Sequence, residues 1–357
     1  MRLRSFVILG GLVAILAGLF ALACGASAFD SQSKVTSVRM FGVRPDKPYA
    51  KPGETVTLEV LAADGRREKA RPMKIFWIPI VCVNPREDLY YLCFLPSQTA
   101  DGGTIDGGSR LVPAFPPDGG ADAGAPPSGA GLSSIPVGID LSPFLPQGPT
   151  FSFRMPDDVI IQRPGRPEYG LAIVFNIACA GQVRLAERVG NAPQQVPIQC
   201  TDEEGVKLSP DDYVIGINRV YAYTDRTNAN PVVERVTLGG VDVDPQQGIT
   251  IDRCVAERRA DCKPVKIDVK VSESSWEPNP APGQAAGQRE QIWVTYYSDI
   301  GDLQDEARLL FDPKSGRISE SDVEFRPPYD PSEGTLWAVV HDNRAGAAFV
   351  VLPLHVK

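Results

Sequence analysis

Seven cysteines and a scatter of carboxylates are the residues whose types can carry specific chemistry in this chain of 357 residues. Cys24 stands alone near the N-terminus. Cys82, Cys93, Cys179, Cys200, Cys254 and Cys262 fall as three couples, separated by 11, 21 and 8 positions. In an oxidising compartment such spacing reads first as disulfides 82–93, 179–200 and 254–262, although six cysteines formally allow fifteen pairings. A zinc site would need close Cys-x2-Cys or His clusters; neither exists, and His341 and His355 are the only histidines. Each bridge would close a short loop, worth about 2–4 kcal/mol, and so would pin a local hairpin.

Signatures of an activated nucleophile or a phosphate cradle are missing: there is no Gly-x-Ser-x-Gly, no His-Glu-x-x-His, no P-loop and no Gly-x-Gly-x-x-Gly after a strand. His341 falls in a predicted hairpin turn and His355 near a strand end, neither beside a nucleophile. Two acids on different loops leave no local signature, so an exported hydrolase with a carboxylate-based site stands as the alternative to a non-catalytic module. Calcium is the one cofactor the sequence offers. Asp242 and Asp244 in one connection, and Asp299, Asp302 and Asp305 in another, place hard oxygen ligands between strands, without EF-hand spacing. Trp276 and Tyr329 lie outside predicted strands, where an aromatic either contacts a glycan or peptide or packs under a loop. Trp77, Trp293 and Trp337 fall within apolar strands and are expected in the core, with Trp77 and Trp293 on equivalent strands of two related domains.

The elements around these residues read as strands. Val35 to Val43, Glu54 to Ala63 and Met73 to Val83 are β-branched apolar runs separated by turn formers, and Val56, Leu58 and Val60 alternate with polar neighbours. Phe151, Phe153 and Met155 alternate, Gly170 to Ala180 is nearly continuous, and Tyr213 to Tyr223 follows. From Asp101 to Gly131 the composition turns to Gly, Ala, Pro, Asp and Ser, which predicts a disordered insertion. Asn228-Ala229-Asn230-Pro231 marks a boundary, beyond which seven strands are expected, including the strict alternation of Val265, Ile267, Val269 and Val271. No stretch after the N-terminal segment has a sustained helical period. The fold class is therefore all-β, with domains over 34–226 and 227–357.

The N-terminus gives the address. Arg2 and Arg4 precede an uncharged apolar run of 17 residues, Phe6 to Leu22, and small or apolar residues lead to Cys24. This resembles a bacterial lipoprotein signal, which implies removal of residues 1–23, acylation of Cys24 and a flexible tether over 24–33. An uncleaved anchor and secretory cleavage after Ala28 are the alternatives, and all three export the chain. Gly25 is not an acidic retention residue, so the resemblance implies the outer membrane. The phrase KPYAKPGETVTLEVLA at 47–62, followed by a strand bearing Trp77, is similar to the opening of immunoglobulin-like domains of bacterial surface proteins. That resemblance implies two immunoglobulin-like β-sandwich domains, the first enlarged, without the antibody-type disulfide because Cys82 has a local partner.

Charge limits the partners. The chain carries 36 Lys and Arg against 44 Asp and Glu, net −8, or −10 once Arg2 and Arg4 are removed. That acidity, with no basic patch, excludes nucleic acid. What remains is a lipid-anchored envelope protein acting as a non-catalytic binding or structural module, with the membrane and an envelope protein or glycan as partners, or else a subunit of an envelope assembly.

Overall fold

A computed structural model describes residues 31–94, 110–114, 136–163, 165–186, 196–279 and 287–357; Cys24 and the signal lie outside them. The described residues form two β-sandwiches. The first is built from β1 (Val38–Pro45), β2 (Tyr49–Ala50), β3 (Thr55–Asp64), β4 (Lys74–Val83), β5 (Arg110–Pro113), β6 (Thr150–Arg154), β7 (Ile161–Arg163), β8 (Arg166–Cys179), β9 (Gln182–Leu185), β10 (Ile198–Thr201) and β11 (Tyr213–Ala222). The second comprises β12 (Val233–Leu238), β13 (Val241–Val243), β14 (Ile249–Ile251), β15 (Val265–Val271), β16 (Ile292–Ser298), β17 (Asp302–Leu303), β18 (Ala307–Asp312), β19 (Gly316–Arg317), β20 (Val323–Arg326), β21 (Ser332–Asp342) and β22 (Ala347–Val356).

Both sandwiches share one wiring. In the first, β1-β3-β6 faces β2-β11-β8-β4-β5; in the second, β13-β12-β15-β20-β17 faces β14-β22-β21-β16-β18-β19. The opening segment of each divides between the two sheets, and its second part, β2 or β14, runs parallel to the last strand, β11 or β22. This is an immunoglobulin-like strand order. Seven strands were expected in the second sandwich and eleven are present among the described residues, because β13, β14, β17 and β19 span only two or three residues each and leave no readable period.

The Lys51-Pro52-Gly53 turn needs its glycine, because φ is 77° there, in the left-handed region that residues with a Cβ rarely adopt. On β4, Trp77 is fully buried, stacks on Phe151 at 5.1 Å and donates its indole N–H to the Gly148 carbonyl at 3.0 Å. It is a core residue between the two sheets.

The apolar continuity of β8 has a structural cause. Ala172 and Val174 face the core between the sheets, while Leu171, Ile173, Phe175 and Ile177 face a second cluster on the outer side, beneath the β9–β10 hairpin and the segment around Cys93. A strand buried on both faces has no polar side to show. Disulfides Cys82–Cys93 and Cys179–Cys200 belong to this outer cluster and pin the added layer to the sheet. None crosses the sandwich. The third disulfide, Cys254–Cys262, closes a loop in the second sandwich.

The disordered insertion expected over 101–131 needs correction at its middle. Arg110–Pro113 form β5, paired antiparallel to β4 through Ile80–Val83, and Ala114 is buried and accepts from Arg154 N–H at 3.2 Å. Leu111 and Val112 alternate weakly in a short run, which hides a strand of four residues. The rest of the insertion, with Phe115 and Pro116, lies outside the described residues.

The two sandwiches pack face to face. Phe41, Leu61 and Ala63, on the outer side of the β1-β3-β6 sheet, meet Tyr297, Trp337, Val339 and Phe349, on the outer side of the β22-β21-β16 sheet. Phe41 lies 4.6 Å from the Tyr297 ring and 5.0 Å from Trp337. This corrects the placement of two tryptophans. On β16, Ile292, Val294 and Tyr296 point inward, so Trp293 points outward; it is only partly buried and stacks on His341 at 5.3 Å. Trp337 is buried, but between sandwiches rather than within one. β4 and β16 hold matching positions in their sheets, yet Trp77 and Trp293 face opposite ways.

Candidate functional site

Where the linker between the sandwiches passes the β21–β22 hairpin, the strand pattern brings charge into the interior. Inward positions on β21 run Leu336, Ala338, Val340 and then Asp342; extending the inward positions of β16 backward from Ile292 reaches Glu290. Ile292 and Asp342 are register partners, so the two carboxylates are neighbours, with 0% and 3% of their surface exposed. Burying two acids is costly unless each is paired. Arg344, itself buried, supplies the counter-charge. Its guanidinium approaches Glu290 and Glu277 at 3.4 Å, donates to the carbonyl of Pro278 at 3.0 Å and to that of Thr227, and lies 5.3 Å from the centre of the Tyr49 ring.

The carboxylates also accept from backbone N–H groups and from one side-chain amide. Asp342 accepts from the N–H groups of Arg344 and Gly346, each at 2.7 Å, and from the Asn228 amide at 3.0 Å; Glu290 accepts from Glu277 N–H at 3.1 Å. Asn230 completes the lock by donating to the Pro45 carbonyl at 2.7 Å and accepting from Ala347 N–H at 2.9 Å. Burial pushes Glu290 up to about 7, and also raises Asp342. His341 beside them is held down to about 4 by burial and is neutral. The arrangement satisfies a linker rather than presenting an acid to solvent: a latch that fixes one sandwich on the other. Beside it a cleft of about 220 Å³ is lined by Val43, Leu58, Arg219, His341 and Asp342.

A larger groove, about 960 Å³, lies at the other end of the second sandwich, around the Cys254–Cys262 loop, between Gly239-Gly240, Thr250 to Ala256 and Lys263. Arg259 roots that loop, donating to Asp302 at 2.7 Å and to the carbonyls of Arg326 and Pro327. Cys254 N–H bonds the Pro328 carbonyl at 2.8 Å.

The calcium candidates are not gathered. Asp242 faces Arg235 at 3.9 Å, Asp244 accepts from Gln246 N–H at 2.9 Å, and Asp299 accepts from Thr335 N–H at 2.7 Å. Asp302 pairs with Arg259 and Asp305 with Arg308. Arginines and turn amides take the oxygens a cation would need, and among the described residues no three His, Cys, Asp or Glu side chains converge as a metal site. Trp276 stacks on Phe311 at 5.8 Å with Arg289 over its ring, against the core of the second sandwich. Tyr329 is more exposed and lies under Arg259. His355 pairs with Glu333.

No family model matches the chain, and a comparison with curated proteins finds no match. Among solved structures, similarity covers 90% of this chain and 98% of the tandem immunoglobulin repeats of Dlar, at 8% identity and a TM-score of 0.22. It covers 91% of this chain and 24% of dimeric latent PorU from Porphyromonas gingivalis, at 11% identity and a TM-score of 0.20. Likeness at these TM-scores assigns neither fold nor function; the immunoglobulin-like order rests on the strand pairing above.

Proposed function

We propose that this chain is a lipid-anchored envelope protein, held in the outer membrane through Cys24, in which two sandwiches act as one rigid, non-catalytic binding or structural module. The observation that carries the reading is the junction. An apolar face-to-face contact and a buried Arg344 latch fix the two sandwiches, and the buried acids that could otherwise suggest hydrolysis are taken up inside it, Asp342 by Asn228 of the linker and Glu290 by Arg344. Three disulfides suit an oxidising envelope compartment.

Reading the address and the module together gives a direct test. Cys24→Ser should abolish metabolic labelling by palmitate and move the protein from the membrane fraction to the soluble fraction. Unchanged labelling and fractionation would overturn the anchor.

A further inference from the structure

The described residues begin at one end of the second sandwich. Ser33 and Val35 exchange backbone bonds with Ser298 at 2.9 Å, at the end of β16, and Lys34 Nζ donates to the Gly301 carbonyl at 2.6 Å. The next residue, Asp302, is the one that grips Arg259 of the disulfide loop. The point of attachment and the Cys254–Cys262 loop therefore share an end. Ser33 lies nine positions after Cys24, a covalent reach of at most about 30 Å.

The tip of that loop is unusual for a rigid element. Val255 is 86% exposed, although the loop is closed by a disulfide and its root is fixed by the carbonyls of Arg326, Pro327 and Pro328. Val241, 70% exposed, follows the Gly239-Gly240 turn that lines the same groove. Arg258 is paired with Asp261 and Lys357 with Asp252, while Arg253 and Lys263 have no acidic partner among the described residues and Glu257 no basic one. On a chain that is acidic overall, the loop itself is close to neutral, Arg253, Arg258, Arg259 and Lys263 standing against Asp252, Glu257 and Asp261, with two of those cations outside any ion pair beside an apolar tip. Such a surface meets anionic headgroups without the repulsion the rest of the protein would feel.

We infer that the Cys254–Cys262 loop is a membrane-facing foot: Val255 enters the headgroup region of the bilayer that carries the anchor, and Arg253 and Lys263 meet lipid phosphates. The inference rests on acylation at Cys24. Lipid chains on Cys24 hold the protein at the membrane through a tether, and a second point of contact on the folded part fixes its orientation.

The test uses the full-length acylated protein in vesicles of phosphatidylethanolamine and phosphatidylglycerol, with acyl chains either brominated or not. Val255→Trp places a reporter at the tip, and Val232→Trp places one at the opposite end of the same sandwich, where the residue is 56% exposed. Emission from the added tryptophan should be quenched by bromine at least about twofold more at 255 than at 232. Equal quenching, or none at 255, in a protein that still labels with palmitate overturns the foot alone. A protein that does not label overturns the anchor and the foot together.

Discussion

At the scale of single residues, Glu290 sets a pH dependence with a definite sign. Its ordinary value of 4.5 is pushed up to about 7 by burial, so the folded protein keeps a proton that the unfolded chain gives up. The stability contributed by the neutral acid is complete below the unfolded value and declines as pH rises toward the folded one. Between pH 5 and pH 8 the loss from this group should be on the order of 2 kcal/mol. Glu290→Gln keeps an acceptor for the Glu277 N–H and never ionises. Its stability, followed by urea denaturation across that range, should fall less with pH than that of the wild type; an identical slope would mean that Glu290 ionises freely in the fold. The acid pair was legible in principle, since Glu290 and Asp342 continue the inward positions of Ile292 and Val340, but the apolar runs end just short of them. Arg344 was not legible, because its partners lie on the linker and on the segment before β16.

At the scale of elements, the sequence is clear wherever a strand has one wet face and obscure wherever it has none or is very short. β3 and β15 alternate and are read directly; β8 is continuous because a second apolar layer covers its outer side. The three disulfides are legible from spacing alone, since each joins cysteines already near in sequence. β5 is the instructive case. It sits in the middle of a low-complexity stretch, yet pairs with four residues of β4, and Arg110 pairs with Asp158. Replacing 101–131 with a short Gly-Ser linker removes this edge strand and the buried Ala114, and should lower Tm by several degrees. Replacing only 116–131 keeps β5 and changes little beyond loop-closure entropy, about 0.6 kcal/mol per halving of length. Equal Tm values for the two deletions would show that β5 contributes nothing to the sheet's stability.

At the scale of the whole molecule, the sequence hides the feature that makes one body of two sandwiches. Trp337 and Tyr297 look like core residues because a face that packs on another domain has the composition of a core; only the alternation with Ala338 and Tyr296 assigns them outward. Gly42, at the register shift in β1, lies against this junction. A Cβ there would sit 3.2 Å from Val339 Cγ1 and 3.3 Å from Phe349 Cε1. β1 is held by its pairs with β3 on both sides of the shift, so it cannot retreat without breaking its own sheet. Val339 is fully buried and cannot move into a void. For Gly42→Leu the cheapest relief is separation of the two faces, which exposes Phe41 and Trp337 and strains the Asn230 bridge. Small-angle scattering should then report a radius of gyration larger by about 1–3 Å than the wild type, and the linker around Asp225 to Asn230 should be cut faster by protease while each sandwich keeps its β signal. An unchanged radius with a lowered Tm would place the strain inside the first sandwich and remove the junction as the source of rigidity.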